Sequence, residues 1–257
     1  MAKSCKLCGR PIEAIYTIYN VTYYHCPACN FLQNFHWEET PALSASQVAA
    51  NDYTRERLWP AGEREHMRQK GWEMLELMTS KSAWFSRKVH GLLKKLPGYK
   101  EKVETEAKQK LPRLLDFGCG HGITVLELAK EGFDIVGVDP FSPTQDPRIL
   151  RQDLQASNFP DASFDGIFTI ETMEHIPNVL DIYGELHRIL KPNGTLLVQT
   201  RRLEDPAYQR DRKAWFYLQE PETHVSIYSE QAMKHIAEKV GFADVAFRGV
   251  KFARFIK

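Results

Sequence analysis

The stretch from Arg113 to Asp139, RLLDFGCGHGITVLELAKEGFDIVGVD, constrains this chain more than any other. A short apolar run (Leu114, Leu115) ends in Asp116. Gly118, Gly120 and Gly122 follow at alternate positions. Val125, Leu126, Leu128 and Ala129 then recur at helical spacing. A second apolar run (Ile135, Val136, Val138) ends in Asp139. Strand, tight turn, helix, strand and acid, in that order, make the first half of a nucleotide-binding α/β sheet. The glycines let the backbone turn sharply and let a ligand lie against it. An acid at the end of the second strand is placed to accept hydrogen bonds from both ribose hydroxyls.

The details discriminate between ligands. A dinucleotide site requires G-x-G-x-x-G, which seats a pyrophosphate on the helix N-terminus. Here the spacing is G-x-G-x-G, and Ile123 stands where the third glycine would be. Asp116, just before the loop, would repel a pyrophosphate and suit a ligand carrying an ammonium and a sulfonium. The stretch resembles motif I and the following acidic motif of class I S-adenosylmethionine (SAM) methyltransferases. That resemblance implies a Rossmann-like α/β domain with a seven-stranded sheet whose last strand is antiparallel. It implies SAM contacts from Asp116, Gly118, Gly120, Gly122 and Asp139.

The C-terminal half keeps the same order. Arg148 to Asp153 reads as a third strand, and by resemblance Asp153 and Leu154 meet the adenine. Phe164 to Ile170 reads as a fourth strand, followed by the turn that faces the site. Leu190 to Thr200 is a helix end, a Pro-Asn-Gly turn and a fifth strand. A helix is expected near Ser229 to Val240. Two β-rich runs, Asp244 to Phe247 and Val250 to Ile256, join through Gly249 as the sixth and seventh strands. The resemblance covers about residues 111–257.

Four of the five cysteines fall in the first 29 residues, as Cys5-Lys-Leu-Cys8 and Cys26-Pro-Ala-Cys29, with 17 residues between the pairs. That spacing lies in the range of a zinc site, where two turns close a tetrahedral cage of four thiolates. Tyr16 to Tyr24 between the pairs is β-rich, as in a zinc ribbon. Two disulfides are the rival reading, which a reducing compartment disfavours. Residues 1–35 are therefore expected to form a zinc-ribbon-like module. Cys119, inside the glycine loop, reads as a small loop residue.

Residues 36–110 read as a helical connector. Met67, Met74, Leu75 and Met78 recur at roughly helical spacing between Glu63 and Met78. Such helices often cover the SAM site in class I enzymes. Trp72 and Trp84 add aromatic surface. Lys81 to Lys100 carries six basic residues and no acid, a stretch that could meet RNA or form a solvated helix face. The whole chain carries a net charge of only +1, which disfavours a general polyanion binder. No apolar stretch approaches the ~20 residues of a membrane span, and the N-terminus lacks the hydrophobic region of a signal peptide. A cytoplasmic location is expected; oligomeric state is open.

The methyl acceptor is harder to read. After the fourth strand comes Ile170-Glu171-Thr172-Met173, not the Asn/Asp-Pro-Pro-aromatic loop that grips a nucleobase amine. No cysteine follows the fourth or fifth strand for attack on a pyrimidine. The cysteine pairs, Glu174-His175, and His224 with Tyr228 resemble a bacterial group that includes deoxysugar C-methyltransferases. Trp215, Tyr217, Glu220, Pro221, His224, Val225, Tyr228 and Ser229 resemble a signature of short bacterial methyltransferases with a zinc-binding N-terminus. His224 is the expected general base, since an imidazole titrates near neutrality. His175 and Tyr228 are further catalytic candidates. Glu171 is expected to hold the SAM ammonium or the acceptor. The leading expectation is methyl transfer to a small molecule. The alternatives are an RNA-modifying enzyme and a zinc-bearing interaction protein with a non-catalytic SAM fold.

Overall fold

The computed structural model describes residues 2–40, 61–79 and 112–257. Trp84 and the basic stretch 81–100 lie outside the described residues. A seven-stranded sheet organises the C-terminal part. Its strands are β4 (Arg113–Phe117), β5 (Asp134–Val138), β6 (Ile149–Leu150), β7 (Phe164–Ile170), β8 (Leu190–Gln199), β10 (Asp244–Arg248) and β11 (Phe252–Ile256). Their spatial order is β10-β11-β8-β7-β4-β5-β6. β5, β4, β7 and β8 run parallel, and β11 enters antiparallel between β8 and β10. This is the class I methyltransferase architecture.

The central strands are apolar on both faces because both faces are covered. Leu115, Ile167 and Leu196 share one core cluster, while their neighbours Leu114, Phe168 and Leu197 share the other. That alternation is the period-two geometry of a strand. Helix α4 (Val179–Ile189) buries Val179, Ile182, Tyr183, Leu186 and Ile189 on the first face, at helical spacing. Each such side chain contributes about 1.5–3 kcal/mol when fully buried. Helix α6 (Glu230–Val240) lies on the same face. The Ser229 hydroxyl caps it by accepting from the Ala232 N–H at 3.0 Å, and Gly241 ends it with a φ of 98°.

The other face takes α3 (Ile123–Lys130) and α2 (Ala61–Thr79). Met74, Leu75 and Met78 of α2 are fully buried against Leu128 and Phe133. A β-carbon on Gly71 would approach the Thr124 methyl to 3.0 Å, so the two helices meet closely there. Met67, on the same periodic stripe, lies at the cavity described below.

The N-terminal segment forms β1 (Glu13–Ile18), β2 (Val21–Cys26) and β3 (Phe31–Gln33), then the short helix α1 (His36–Glu39). The β-rich run anticipated over Tyr16 to Tyr24 is a hairpin. Tyr19 and Asn20 turn it in left-handed backbone. β3 then pairs antiparallel with β9 (Ser226–Ile227), giving a second sheet in the order β1-β2-β3-β9. The first 35 residues are thus stitched to the C-terminal part by strand pairing. The third strand expected over 148–153 spans only Ile149–Leu150, because the chain turns away into a 3-10 turn at Gln155–Ser157. No helix among the described residues is long and apolar enough to cross a membrane.

Candidate active site

From β4 the sheet order runs to β5 on one side and to β7 on the other, so a crevice opens beyond the carboxyl ends of these strands. A cavity of about 930 Å³ occupies it. The glycine turn forms its floor. Gly118 has a φ of 74°, and a β-carbon there would fall 2.2 Å from the Thr172 hydroxyl oxygen. Gly122 has a φ of 69°, and its β-carbon would fall 1.9 Å from the Ile149 side chain. The turn after β7 and strand β6 therefore demand glycine at these two positions.

Asp116 reaches the cavity from the end of β4 and is buried, at 3% exposure. Burial, with the Asp139 charge added, pushes its carboxyl up to about 8. A cation beside it would reverse that displacement. Asp139 ends β5. One of its oxygens accepts from the Gly120 N–H and the other from the Phe141 N–H, both at 2.9 Å. Those bonds hold the carboxylate against the glycine turn. Asp153 and Leu154 line the same cavity beyond β6. Cys119 sits in the turn, its thiol pushed up by burial and by both carboxylates. A β-carbon on Gly137 would fall 2.7 Å from its sulfur, so its small size is what the site uses.

The opposite wall comes from the turn after β7. Glu171 adopts a φ of 48°, a left-handed conformation rare for a glutamate. It lines the cavity, accepts from the Gln199 amide at 2.9 Å and accepts from the Tyr217 hydroxyl. A 3-10 turn over Met173–His175 follows. Glu174 points inward, fully buried, and accepts from the same Tyr217 hydroxyl at 2.7 Å. Burial first, and the Glu171 charge second, push its carboxyl up to about 8. His175 lines the cavity, with Nδ1 3.0 Å from the Thr223 carbonyl.

Two candidates stand elsewhere than anticipated. His224 is buried at 6% exposure and is not on the cavity wall. Its ring packs behind His175, centroids 4.9 Å apart, and against Tyr217 at 4.6 Å. Burial, and then the neighbouring His175, push its pKa down to about 4. Of these two histidines, the one that faces the cavity is therefore His175. Tyr228 is also off the wall. It is fully buried between Phe31 and Tyr183, donating to the Met173 carbonyl at 2.9 Å. It joins the N-terminal module to the β7 turn.

Sequence reasoning singled out neither Glu174 by itself nor Trp37, which lines the cavity from α1. The Trp37 indole donates to the Glu222 carbonyl at 2.6 Å. The N-terminal module buttresses the His224 loop more broadly. Asn34 donates from its side chain to the Pro221 and His224 carbonyls at 2.8 and 3.2 Å. Tyr23 donates to the His224 carbonyl at 2.7 Å.

Cys5, Cys8, Cys26 and Cys29 bring their sulfurs within 4.8 Å of one another and are unbridged. The Leu7 N–H points at the Cys5 sulfur at 3.4 Å, and the Gly9 N–H closes the turn on the Cys5 carbonyl at 2.8 Å. Burial pushes the Cys5 thiol up to about 12. A divalent cation would deprotonate such thiols outright. The four sulfurs are a donor set that could hold one zinc.

The chain matches the family described as a methyltransferase domain over residues 64–246. It is 30% identical over 150 residues to 24-methylenesterol C-methyltransferase 2 of Oryza sativa subsp. japonica, covering 51% of this chain and 41% of that one. It is 36% identical over 98 residues to 2-methyl-6-phytyl-1,4-hydroquinone methyltransferase of Synechocystis sp., covering 33% and 30%. The match thus spans less than half the length of these curated relatives. The fold is similar to that of Burkholderia thailandensis 1,6-didemethyltoxoflavin-N1-methyltransferase, solved with 1,6-didemethyltoxoflavin and S-adenosylhomocysteine. That likeness has a TM-score of 0.51 and 12% identity, and it covers 95% of this chain and 99% of that one.

Proposed function

The chain belongs to the methyltransferase-domain family, as a class I SAM-dependent methyltransferase, and from that premise we propose that it methylates a small organic acceptor in the cavity beside His175. One observation carries this reading. A single cavity joins the glycine turn, Asp116 and Asp139 to Glu171 and His175 on the opposite wall. The buried carboxyl of Asp116, raised to about 8, has no positive partner among the described residues to favour its ionised form, and a cationic ligand would supply one. SAM, when bound, supplies a methyl group already activated by a positive sulfur. The chain's part is then orientation, exclusion of water, and acceptance of the acceptor's proton.

In this reading Asp116 meets the methionyl ammonium, Asp139 the ribose hydroxyls, and Asp153 with the Leu154 backbone the adenine. Ile170, Ile176 and Ile182 give the acceptor end an apolar lining, and Glu171 and His175 give it a polar edge. An acceptor with an apolar body and one reacting polar group fits that lining. The sterol and hydroquinone relatives support that class. The proton passes to His175, which is reached directly; His224 stands behind it as a neutral support. The four cysteines hold one zinc, and the ribbon so stiffened supports the His224 loop through Asn34 and Tyr23.

The test is turnover of SAM to S-adenosylhomocysteine with a panel of phenols, hydroquinones and sterols, beside a total RNA fraction. Turnover with an apolar hydroxylated acceptor, lost in Asp139→Ala, supports the reading. Turnover with RNA alone, falling steeply with salt, would replace it with the RNA-modifying alternative.

A further inference from the structure

We propose that Glu174, His175 and His224 bind one divalent first-row transition-metal cation at the acceptor end of the cavity, separate from the four cysteines. One ligand atom from each of the three residues lies within 4.8 Å of the others. Around a tetrahedral ion with bonds of about 2.0–2.1 Å, donors stand roughly 3.4 Å apart. Side-chain adjustments of about an ångström close that gap.

The tautomers suit the role. His175 Nδ1 lies 3.0 Å from the Thr223 carbonyl, and His224 Nδ1 lies 2.7 Å from the Tyr217 carbonyl. A carbonyl only accepts, so each Nδ1 carries the hydrogen and each Nε2 the lone pair. A ring N–H anchored on a backbone carbonyl is the outer-shell support that metal-bound histidines use. His224 Nε2 is 4.0 Å from the Glu220 carboxylate, beyond hydrogen-bond range.

The carboxylates point the same way. Glu174 is 1% exposed, and its Oε2 makes no hydrogen bond. Its other oxygen shares the Tyr217 hydroxyl with Glu171. A hydroxyl has one hydrogen and can serve only one of the two. Among the described residues no lysine or arginine forms an ion pair with either. Glu174, buried and competing with Glu171 for that one hydrogen, has no positive charge beside it among those residues, and a divalent cation would supply it.

The donor set selects the ion. Two imidazoles and a carboxylate suit zinc and its first-row neighbours, whereas magnesium and calcium favour oxygen donors throughout. His175 is the member on the cavity wall, so an acceptor oxygen would approach the ion past that ring. With the ion bound, the Nε2 lone pair of His175 is taken up, and the ion rather than the imidazole would ease loss of the acceptor's proton. This inference rests on the reading of that end of the cavity as the acceptor side.

The experiment titrates zinc and cobalt(II) into full-length protein whose cysteine site is already filled with zinc. The expected result is one further equivalent per chain, with a cobalt spectrum free of thiolate-to-metal charge transfer. Glu174→Gln and His224→Gln should each weaken that equivalent by about 100-fold or more, since even outer-shell losses cost 10–100-fold. Binding that stops at the cysteine site overturns the proposal and leaves the acids sharing a proton instead. A second equivalent that both variants keep at full affinity also overturns it. Should either variant fold poorly, the wild-type stoichiometry alone decides. SAM affinity is measured on the same samples. No cation with SAM binding intact removes only this site, whereas loss of SAM binding in the wild type removes the methyltransferase reading.

Discussion

Asp116→Asn tests the cofactor side most directly. In the ligand-free protein the Asp116 carboxyl is displaced from 3.8 to about 8, through burial first and the Asp139 charge second. At about 1.4 kcal/mol for each pKa unit, that displacement corresponds to at most roughly 6 kcal/mol against the ionised form. Between those two values the folded protein holds a proton that the unfolded chain has released. Stability of the ligand-free protein should therefore fall as pH rises from about 4 to 8. A methionyl ammonium beside the carboxylate favours the ionised form, so binding SAM should expel that proton. SAM affinity should rise nearly tenfold per pH unit from pH 5.5 to 7.5, a range in which an α-amino group stays largely charged. Calorimetry in buffers of different ionisation enthalpy should register close to one proton released per SAM. Asp116→Asn should flatten the pH dependence, release no proton and lose about 1.5–3 kcal/mol of binding above pH 7, the worth of a charge-assisted hydrogen bond. The ligand-free variant should melt no lower than the wild type at pH 8. A pH-independent wild-type affinity, or a variant that binds SAM unchanged, would refute the assignment.

Three further outcomes are expected. Elemental analysis should find about one zinc per chain in protein purified without added metal, and Cys26→Ser should lose it. Protein with intact ribbon folding and no metal would rule that out. Gly118→Ala should cost about 1–3 kcal/mol and weaken SAM binding, because its β-carbon would sit 2.2 Å from Thr172 Oγ1; Thr172→Gly in the same chain should recover part of the thermal stability. Asn34→Ala leaves the Pro221 carbonyl without its side-chain donor and should cost about 1–3 kcal/mol. Faster amide exchange across residues 221–227 should accompany it, and unchanged exchange there would argue against a buttressing ribbon.

The half of the cavity proposed to hold SAM could be assembled from the sequence because its residues are local. Asp116, the glycine turn and Asp139 lie on one strand-turn-helix-strand unit, and chain order fixes how they meet. The cysteine pairs are equally readable, since each pair lies on a single tight turn. Strand β7 and helix α6 fall where their patterns predict, within a residue at each end. Helix α4 carried an equally plain stripe, Val179, Ile182, Tyr183 and Leu186, of which only the helix end was anticipated.

The acceptor wall was decided by tertiary structure. Glu171, Glu174 and His175 come from the turn after β7, and Tyr217 and His224 from a loop some 40 residues later. No spacing rule links them. Their meeting depends on β3 pairing with β9 and on Asn34 and Tyr23 gripping the His224 loop. That packing buried His224 and gave the cavity face to His175. An imidazole in a loop reads as a base in sequence, but its pKa is set by desolvation, and here burial lowers it to about 4. Sequence fixes which groups can titrate or ligate. Only the folded chain fixes which of them water and a substrate can reach, because exposure and charge proximity are sums over residues distant along the chain.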